Sequence, residues 1–386
     1  MNFEYHVPWA LVFHKGSRFG VANHAKSLSI TKPLIVTDDY YHSVGGSVDV
    51  EESFSNAGMD YALFYKIFSE PTATDVEGAL ATFKENQCDG VVCIGGGSAI
   101  DAAKAVAVMT TNPGTIADYM GYHKVVNPRV PLIAIPTTAG TGSEATRVVV
   151  ITDTERNIKM MCLDNEFMPD VAIIDYKLTL TMPKNLTAYV GMDALTHAVE
   201  AYVSRKASIV SNMFALRAID MIIKNILNAY NFPDDEDARE NMMIGATFAG
   251  IAFSNSSVAA VHGMSRPLGA NFEVPHGLSN AMLLPIVTEY SIGQNPKLYA
   301  DIARFIGHTG ELDDDELAKV IFADFKRLNN ELTIPNLKEY GVNHEEYEAL
   351  IPSMVVAAIA SGSPANNPTV FTAEEMAEIY KKVFDY

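Results

Sequence analysis

The chain has 386 residues, 48% of them hydrophobic and 19% charged, a globular balance that excludes a disordered polymer and, at this length, suits two domains better than one core. Its 28 basic and 47 acidic residues leave a net charge of −19, a surface that repels phosphate backbones and so excludes nucleic acid as a natural partner. Apolar runs such as residues 91–94 are far too short to span a membrane. No basic, apolar-cored leader is read at the N-terminus, and Cys88, Cys93 and Cys162 are too few and too odd in number for a disulfide framework, so a cytoplasmic setting is expected.

In chain order, the first half alternates short β-rich runs with helical stretches. Strands are expected at residues 34–37, 61–65, 90–94, 132–135, 147–152 and 171–174, with helices at about 74–86 and 99–109. Such alternation predicts a parallel sheet covered by helices. After Pro183 the pattern changes to long amphipathic helices, at 186–204, 208–229, 238–253, 257–266, 313–331, 345–360 and 372–384. The last opens on Thr372 with Glu375 three residues on, a capping-box pair. The expected division is therefore 1–183, an α/β domain, and 184–386, an all-helical one.

Three features of the first half point to a dinucleotide. Gly95-Gly96-Gly97-Ser98 joins a strand directly to a helix, and a glycine turn there lets backbone amides and the helix N-terminus meet a pyrophosphate. A tight turn needing positive φ is the plainer explanation, but three successive glycines exceed it. A second segment, residues 136–144, is dense in hydroxyls and glycines, including Thr137, Thr138 and Thr141, and suits the nicotinamide and ribose side or a simple loop. Asp38, closing the first of these strands, can accept hydrogen bonds from ribose hydroxyls and repel a 2′-phosphate, favouring NAD over NADP, or can serve as a helix N-cap.

The second half carries a metal-type pattern. Asp193 and His197 are four apart in a helical run, hence on one face. His262 and His276 follow, each beside a glycine. Three imidazoles and a carboxylate suit iron or zinc and not calcium or magnesium. Spacing alone does not bring His262 and His276 to the Asp-His pair.

The motifs in order, residues 95–98 with Asp101, 136–144, 191–200, Phe253-Ser254-Asn255, 262–269 and 275–277, resemble those of the iron-containing (group III) alcohol dehydrogenases, a family that includes lactaldehyde reductases and 1,3-propanediol dehydrogenases. The resemblance runs over nearly the whole chain. It implies a dehydroquinate-synthase-like fold, with an N-terminal dinucleotide-binding α/β domain and a C-terminal helical domain. It implies Asp193, His197, His262 and His276 as ligands of Fe(II), or alternatively Zn(II). It implies Gly95, Gly96, Gly97, Ser98, Asp101, Thr137, Thr138 and Thr141 as cofactor residues, with Asp38 biased toward NAD(H), Lys159 near the nicotinamide ribose and Phe253 in the substrate channel. A homodimer or larger homo-oligomer is also implied.

One position departs from the family. Where it usually has His-Gly-Met-Ala-His, this chain reads His262-Gly263-Met264-Ser265-Arg266. Arginine stays charged and cannot act as a base, so the substrate proton is expected to pass to solvent. Arg266 is left with three readings: a cofactor contact, a bidentate partner for an anionic substrate group such as a carboxylate, sulfonate or phosphonate, or a salt bridge to Glu273. The segment 361–369 also lacks the family's more usual acidic residue and Asn-Pro-Arg. The expected activity is hydride transfer between NAD(H) and a small alcohol or aldehyde. The alternatives are a reductase of anionic short aldehydes, a dehydroquinate-synthase-like lyase and a binding protein with a degenerate site. The lyase would need basic groups for a sugar phosphate, and few are found around Phe253. All four ligand positions are filled, which argues against degeneration.

Overall fold

A computed structural model describes residues 3–68, 70–156, 158–308 and 310–386. The chain divides into two compact units: His6–Thr181, and Met182–Tyr386 together with the residues through Tyr5. The start of the chain thus belongs with the helical unit, where the Tyr5 ring stacks on Phe214 at 6.0 Å. The boundary expected from the sequence places it in the α/β domain, because a short terminal segment carries no periodicity to show what it packs on.

In the α/β unit the elements follow as β1 (Ala10–Phe13), α1 (Val21–Ser27), β2 (Pro33–Val36), α2 (Asp39–Ser43), α3 (Val48–Asn56), β3 (Ala62–Phe64), α4 (Ala73–Glu85), β4 (Gly90–Gly95), α5 (Gly97–Met109), β5 (Gly121–Tyr122), β6 (Leu132–Pro136), β7 (Val148–Asp153), β8 (Ile158–Leu163) and β9 (Val171–Ile174). A six-stranded sheet runs β1-β9-β6-β4-β2-β3, and its pairings are parallel. Its strands read as unbroken apolar runs because both faces are buried. Leu34, Val36, Val91 and Cys93 join one core with α4 and α5, while Ile35, Val92 and Ile94 join another with α1 and α3. The expected strand at 147–152 does not enter this sheet. As β7 it pairs antiparallel with β8 in a separate three-stranded sheet with β5. Its β-rich composition marks a strand but not its partner.

The sheet winds both ways from its middle. The chain leaves β2 for the neighbour β3 on one side, and leaves β4 for β6 on the other. The carboxyl ends of β2 and β4 therefore flank a crevice, the usual place for a ligand in such sheets.

The helical unit contains α6 (Lys184–Val203), α7 (Ile209–Asn231), α8 (Glu236–Ser254), α9 (Ala260–Phe272), α10 (His276–Ile292), α11 (Pro296–Ile306), α12 (Asp314–Glu331), α13 (Leu337–Tyr340), α14 (His344–Ala360) and α15 (Ala373–Val383). The Thr372–Glu375 capping box is formed. Helices α10 and α11 were not anticipated. All of α10 from Leu278 to Thr288 is buried, so it has no polar stripe from which a 3.6-residue period could be read. Among the described residues no helix is long and apolar enough to cross a membrane.

Candidate metal centre and nucleotide crevice

The helical unit gathers Asp193, His197, His262 and His276, with one potential ligand atom from each, all within 4.8 Å of one another. Asp193 and His197 lie a turn apart on α6, His262 enters on the first turn of α9, and His276 is the first residue of α10. Glycine makes the approach possible. A Cβ on Gly277 would lie 2.5 Å from the Tyr189 carbonyl oxygen and 3.3 Å from the Asp193 Cβ, so α10 meets α6 backbone to backbone beside the first ligand. A Cβ on Gly263 would lie 2.5 Å from Pro364 Cδ, which presses the first turn of α9 against the segment at 364–366. The rings follow one another without stacking, His197 beside His262 with centroids 4.4 Å apart and tilted by 31°, and His262 beside His276 at 5.3 Å and tilted by 58°. Phe253 closes the series, its ring 4.4 Å from that of His197 and 17° from parallel.

The donors fit a transition-metal ion. Asp193 oxygens lie 3.9 Å from His197 Nδ1, 3.6 Å from His262 Nε2 and 3.8 Å from His276 Nε2, close to the ~3.4 Å between tetrahedral ligands with bonds of about 2.1 Å. His197 Nδ1 is buried with no hydrogen-bond partner among the described residues, a cost that a bound cation removes. Burial and the neighbouring positive charges drive the His197 pKa down to about 3 even against Asp193, so this ring is neutral and able to ligate. Burial works to raise Asp193, but His197, His276 and His262 hold its carboxyl well below the usual range. Burial also works to lower His262, yet Glu200 and Asp193 push it up to about 9. The raised His262 reports the negative charge of Glu200 and Asp193 beside it, which a cation at the centre would also meet, and the lowered Asp193 stays an ionised donor.

Two groups around the cluster were not singled out from the sequence. Glu200, one turn beyond His197 on α6, accepts from His262 Nδ1 at 2.6 Å. Its position three residues after His197, and seven after Asp193, is the signal that could have marked it. Asn280, one turn into α10, donates to Asp193 Oδ1 at 2.6 Å and lies 3.1 and 3.2 Å from Nε2 of His262 and His276. Arg266 stands one turn beyond His262 on α9 and is half-buried.

In the α/β unit, the glycine turn and the hydroxyl-rich segment meet at the ends of β4 and β6, where Thr137 N–H donates to Gly95 O at 3.0 Å. Helix α5 starts at Gly97 with Gly96 as its N-cap, so no side chain of the cap residue accepts from the first-turn amides. A Cβ on Gly97 would lie 2.7 Å from Thr141 Cγ2, and one on Gly96 3.6 Å from Thr138 Cγ2, so the two threonines close over the turn. Ser98 follows within the first turn of α5. Asp38 does cap a helix, accepting from Tyr41 N at 2.8 Å. Its other oxygen lies 3.4 Å from where a Gly95 Cβ would sit, at the flank of the crevice.

Two expected cofactor residues have other engagements. Both oxygens of Asp101 are committed, to Ser143 Oγ at 2.6 Å and Val150 N at 2.8 Å. It holds the loop from beneath. Lys159, on β8, pairs with Glu70 at 2.5 Å and is partly exposed. Beside Asp101, Lys104 is wholly buried and donates to Ser143 Oγ, Thr146 Oγ1 and Val148 O at 2.8, 3.0 and 3.1 Å. It is the hidden brace of the loop, and sequence reading missed it.

Residues 8–176 match the iron-containing alcohol dehydrogenases, and residues 187–384 match the C-terminal region of the same family. The chain belongs to the iron-containing alcohol dehydrogenase family. It is 37% identical over 380 residues to an NAD-dependent methanol dehydrogenase of Bacillus methanolicus, covering 98% of this chain and 99% of that one. Among solved structures, a 1,3-propanediol oxidoreductase superposes with a TM-score of 0.96 at 35% identity, covering 100% of both chains. A sulfoacetaldehyde reductase from Bifidobacterium kashiwanohense, in complex with NAD+, superposes with a TM-score of 0.89 at 28% identity over 99% of each chain. The two-domain architecture implied by the resemblance, an N-terminal unit with a parallel sheet and a helical C-terminal unit, is thus the family's.

Proposed function

We propose that this family member is an NAD(H)-dependent dehydrogenase of small primary alcohols that also reduces the matching aldehydes. The observation that carries the reading is the assembly of Asp193, His197, His262 and His276 from three helices into one cluster. Those four side chains would hold a divalent iron or zinc, which when bound would supply Lewis acidity to a substrate oxygen, with the hydride exchanged with a nicotinamide. Asp193, His197, His262 and His276 are the proposed ligands. Glycines 95–97, Ser98, Thr137, Thr138 and Thr141 are proposed to hold the dinucleotide through backbone amides and hydroxyls at the start of α5. Asp38, at the crevice flank, is proposed to favour NAD over NADP by repelling a 2′-phosphate. Asp101 supports the loop, and Lys159 remains the proposed neighbour of the nicotinamide ribose.

Phe253 is an apolar wall beside the cluster. It orients the His197 ring by stacking and excludes water from that side. Arg266 cannot accept the substrate proton, so protons exchange with solvent. The protein is proposed to work in the cytoplasm as a homo-oligomer of soluble subunits.

A second reading is favoured by Arg266 and by the similarity to a sulfoacetaldehyde reductase: the guanidinium selects an anionic short aldehyde. NADH oxidation by protein loaded anaerobically with ferrous iron separates the two. Efficient turnover of propanal, glycolaldehyde or lactaldehyde, little changed in Arg266→Ala, supports the first. A strong preference for succinic semialdehyde or sulfoacetaldehyde that is lost in Arg266→Ala supports the second. No turnover of either group by protein that binds both metal and NADH would overturn the dehydrogenase reading.

A further inference from the structure

Helix α6 turns three carboxylate or imidazole side chains to one buried side: Asp193, His197 and Glu200, at 3%, 6% and 2% exposure. The first two belong to the metal cluster, while Glu200 does not reach it. Its Oε1 accepts from Val261 N at 2.5 Å, and its Oε2 accepts from Ala259 N at 2.9 Å and faces His262 N at 3.4 Å. It thereby caps α9, whose own N-cap, Ala259, has no side chain to do so. A cap needs no more than this.

The further contact is to the ring: His262 Nδ1 lies 2.6 Å from Oε2. An ionised carboxylate only accepts, so Nδ1 carries the hydrogen and a neutral ring keeps its lone pair on Nε2. Nε2 is the nitrogen on the cluster side, 3.6 Å from Asp193 Oδ1. The carboxylate also places a negative charge one imidazole away from the metal position, which raises the basicity of Nε2. His197 is held differently, by stacking against Phe253, and its Nδ1 has no hydrogen-bond partner among the described residues.

We propose that Glu200 is a positioning residue for the metal centre: its buried carboxylate fixes the tautomer and orientation of His262 and thereby sets the affinity of the cluster for a divalent metal. This rests on the metal-site reading given above. It also makes α6 the organiser of the centre, because one face of one helix supplies two ligands and holds a third.

The test is zinc affinity, measured on the full chain by competition with a chromophoric chelator, in wild type, Glu200→Gln, His262→Ala and the double variant. Gln keeps an oxygen for the α9 amides but removes the charge and presents an N–H where an acceptor stood. The expected result is a zinc Kd weakened about 10–100-fold in folded Glu200→Gln, with little additional loss when the same change is made in His262→Ala. A Kd unchanged from wild type, with only the thermal stability of the metal-free protein reduced, would show that Glu200 is a helix cap alone and overturn the proposal. Wild-type protein that binds no zinc would overturn the metal-site reading and the role of Glu200 with it. If Glu200→Gln does not fold, the tautomer is read directly in zinc-loaded wild-type protein labelled with ¹⁵N at histidine. A proton on Nδ1 of His262 supports the proposal, and a proton on Nε2 overturns it.

Discussion

Lys104 stands in an alanine-rich stretch, Ala102-Ala103-Lys104-Ala105, where nothing in the order of residues separates it from a solvated lysine on a surface helix. In the fold it is wholly buried, and burial lowers its pKa to about 8 although Asp101 and Glu144 pull the other way. An unfolded lysine titrates near 10.4. Between those two values the unfolded chain binds more protons than the native one, so this group's contribution rises as pH rises through about 8 and is complete above about 10.4. The stability of wild type relative to Lys104→Met should therefore increase by up to about 3 kcal/mol between pH 7 and 10.5. Parallel denaturant titrations of the two proteins across that range would measure it, and a constant difference would mean that Lys104 is not desolvated. Asp193 and His197 present the opposite case. Their spacing alone puts both on one helical face, and the fold brings His262 and His276 to them, which no spacing could predict.

The approach of α10 to α6 depends on one missing side chain. A Cβ at Gly277 meets main-chain atoms, the Tyr189 carbonyl oxygen at 2.5 Å and its carbon at 2.9 Å, and a backbone cannot swing aside as a flexible side chain can. Gly277→Ala should cost about 1–3 kcal/mol by overpacking and should also weaken zinc binding, since His276 is the neighbouring residue on α10. Gly293, at the other end of the same helix, has nothing within 4 Å of an added Cβ, so Gly293→Ala should change stability by about 0.5 kcal/mol or less. Denaturation midpoints and chelator competition on both variants check this, and equal effects at the two glycines would refute the close-approach argument. Strands and helices with a clear period were legible from sequence: β2, β4 and β6 as unbroken apolar runs, α4, α12 and α15 as amphipathic segments. Helix α10 was not, because a helix buried on all sides has no pattern to show. Strand β7 was visible as a strand but not as a member of a second sheet, since pairing is settled by neighbours distant in sequence.

For the protein as a whole, metal and fold should be thermodynamically linked. A ligand bound only by the native state stabilises it by about 2.7 kcal/mol at a free concentration of 100 times Kd. Treatment with a strong chelator should lower the Tm of the protein, and zinc or ferrous iron should restore it in a concentration-dependent way. A melting curve indifferent to chelator and to added metal would argue against a resident ion. Much of this architecture could be read from the chain order. Alternation of apolar runs and helices specifies a covered parallel sheet, the change of periodicity after Pro183 marks the helical part, and the glycine turn and the Asp-His pair point to nucleotide and metal, because each depends on residues near one another along the chain. Convergence is a different matter. The meeting of α6, α9 and α10 at four donors, the carboxylate of Glu200 behind His262, Asn280 against Asp193 and the brace of Lys104 under the loop at 143–148 all join residues tens of positions apart. Their distances follow from how helices and loops pack, through close approaches such as that at Gly277, and packing is a property of the folded whole.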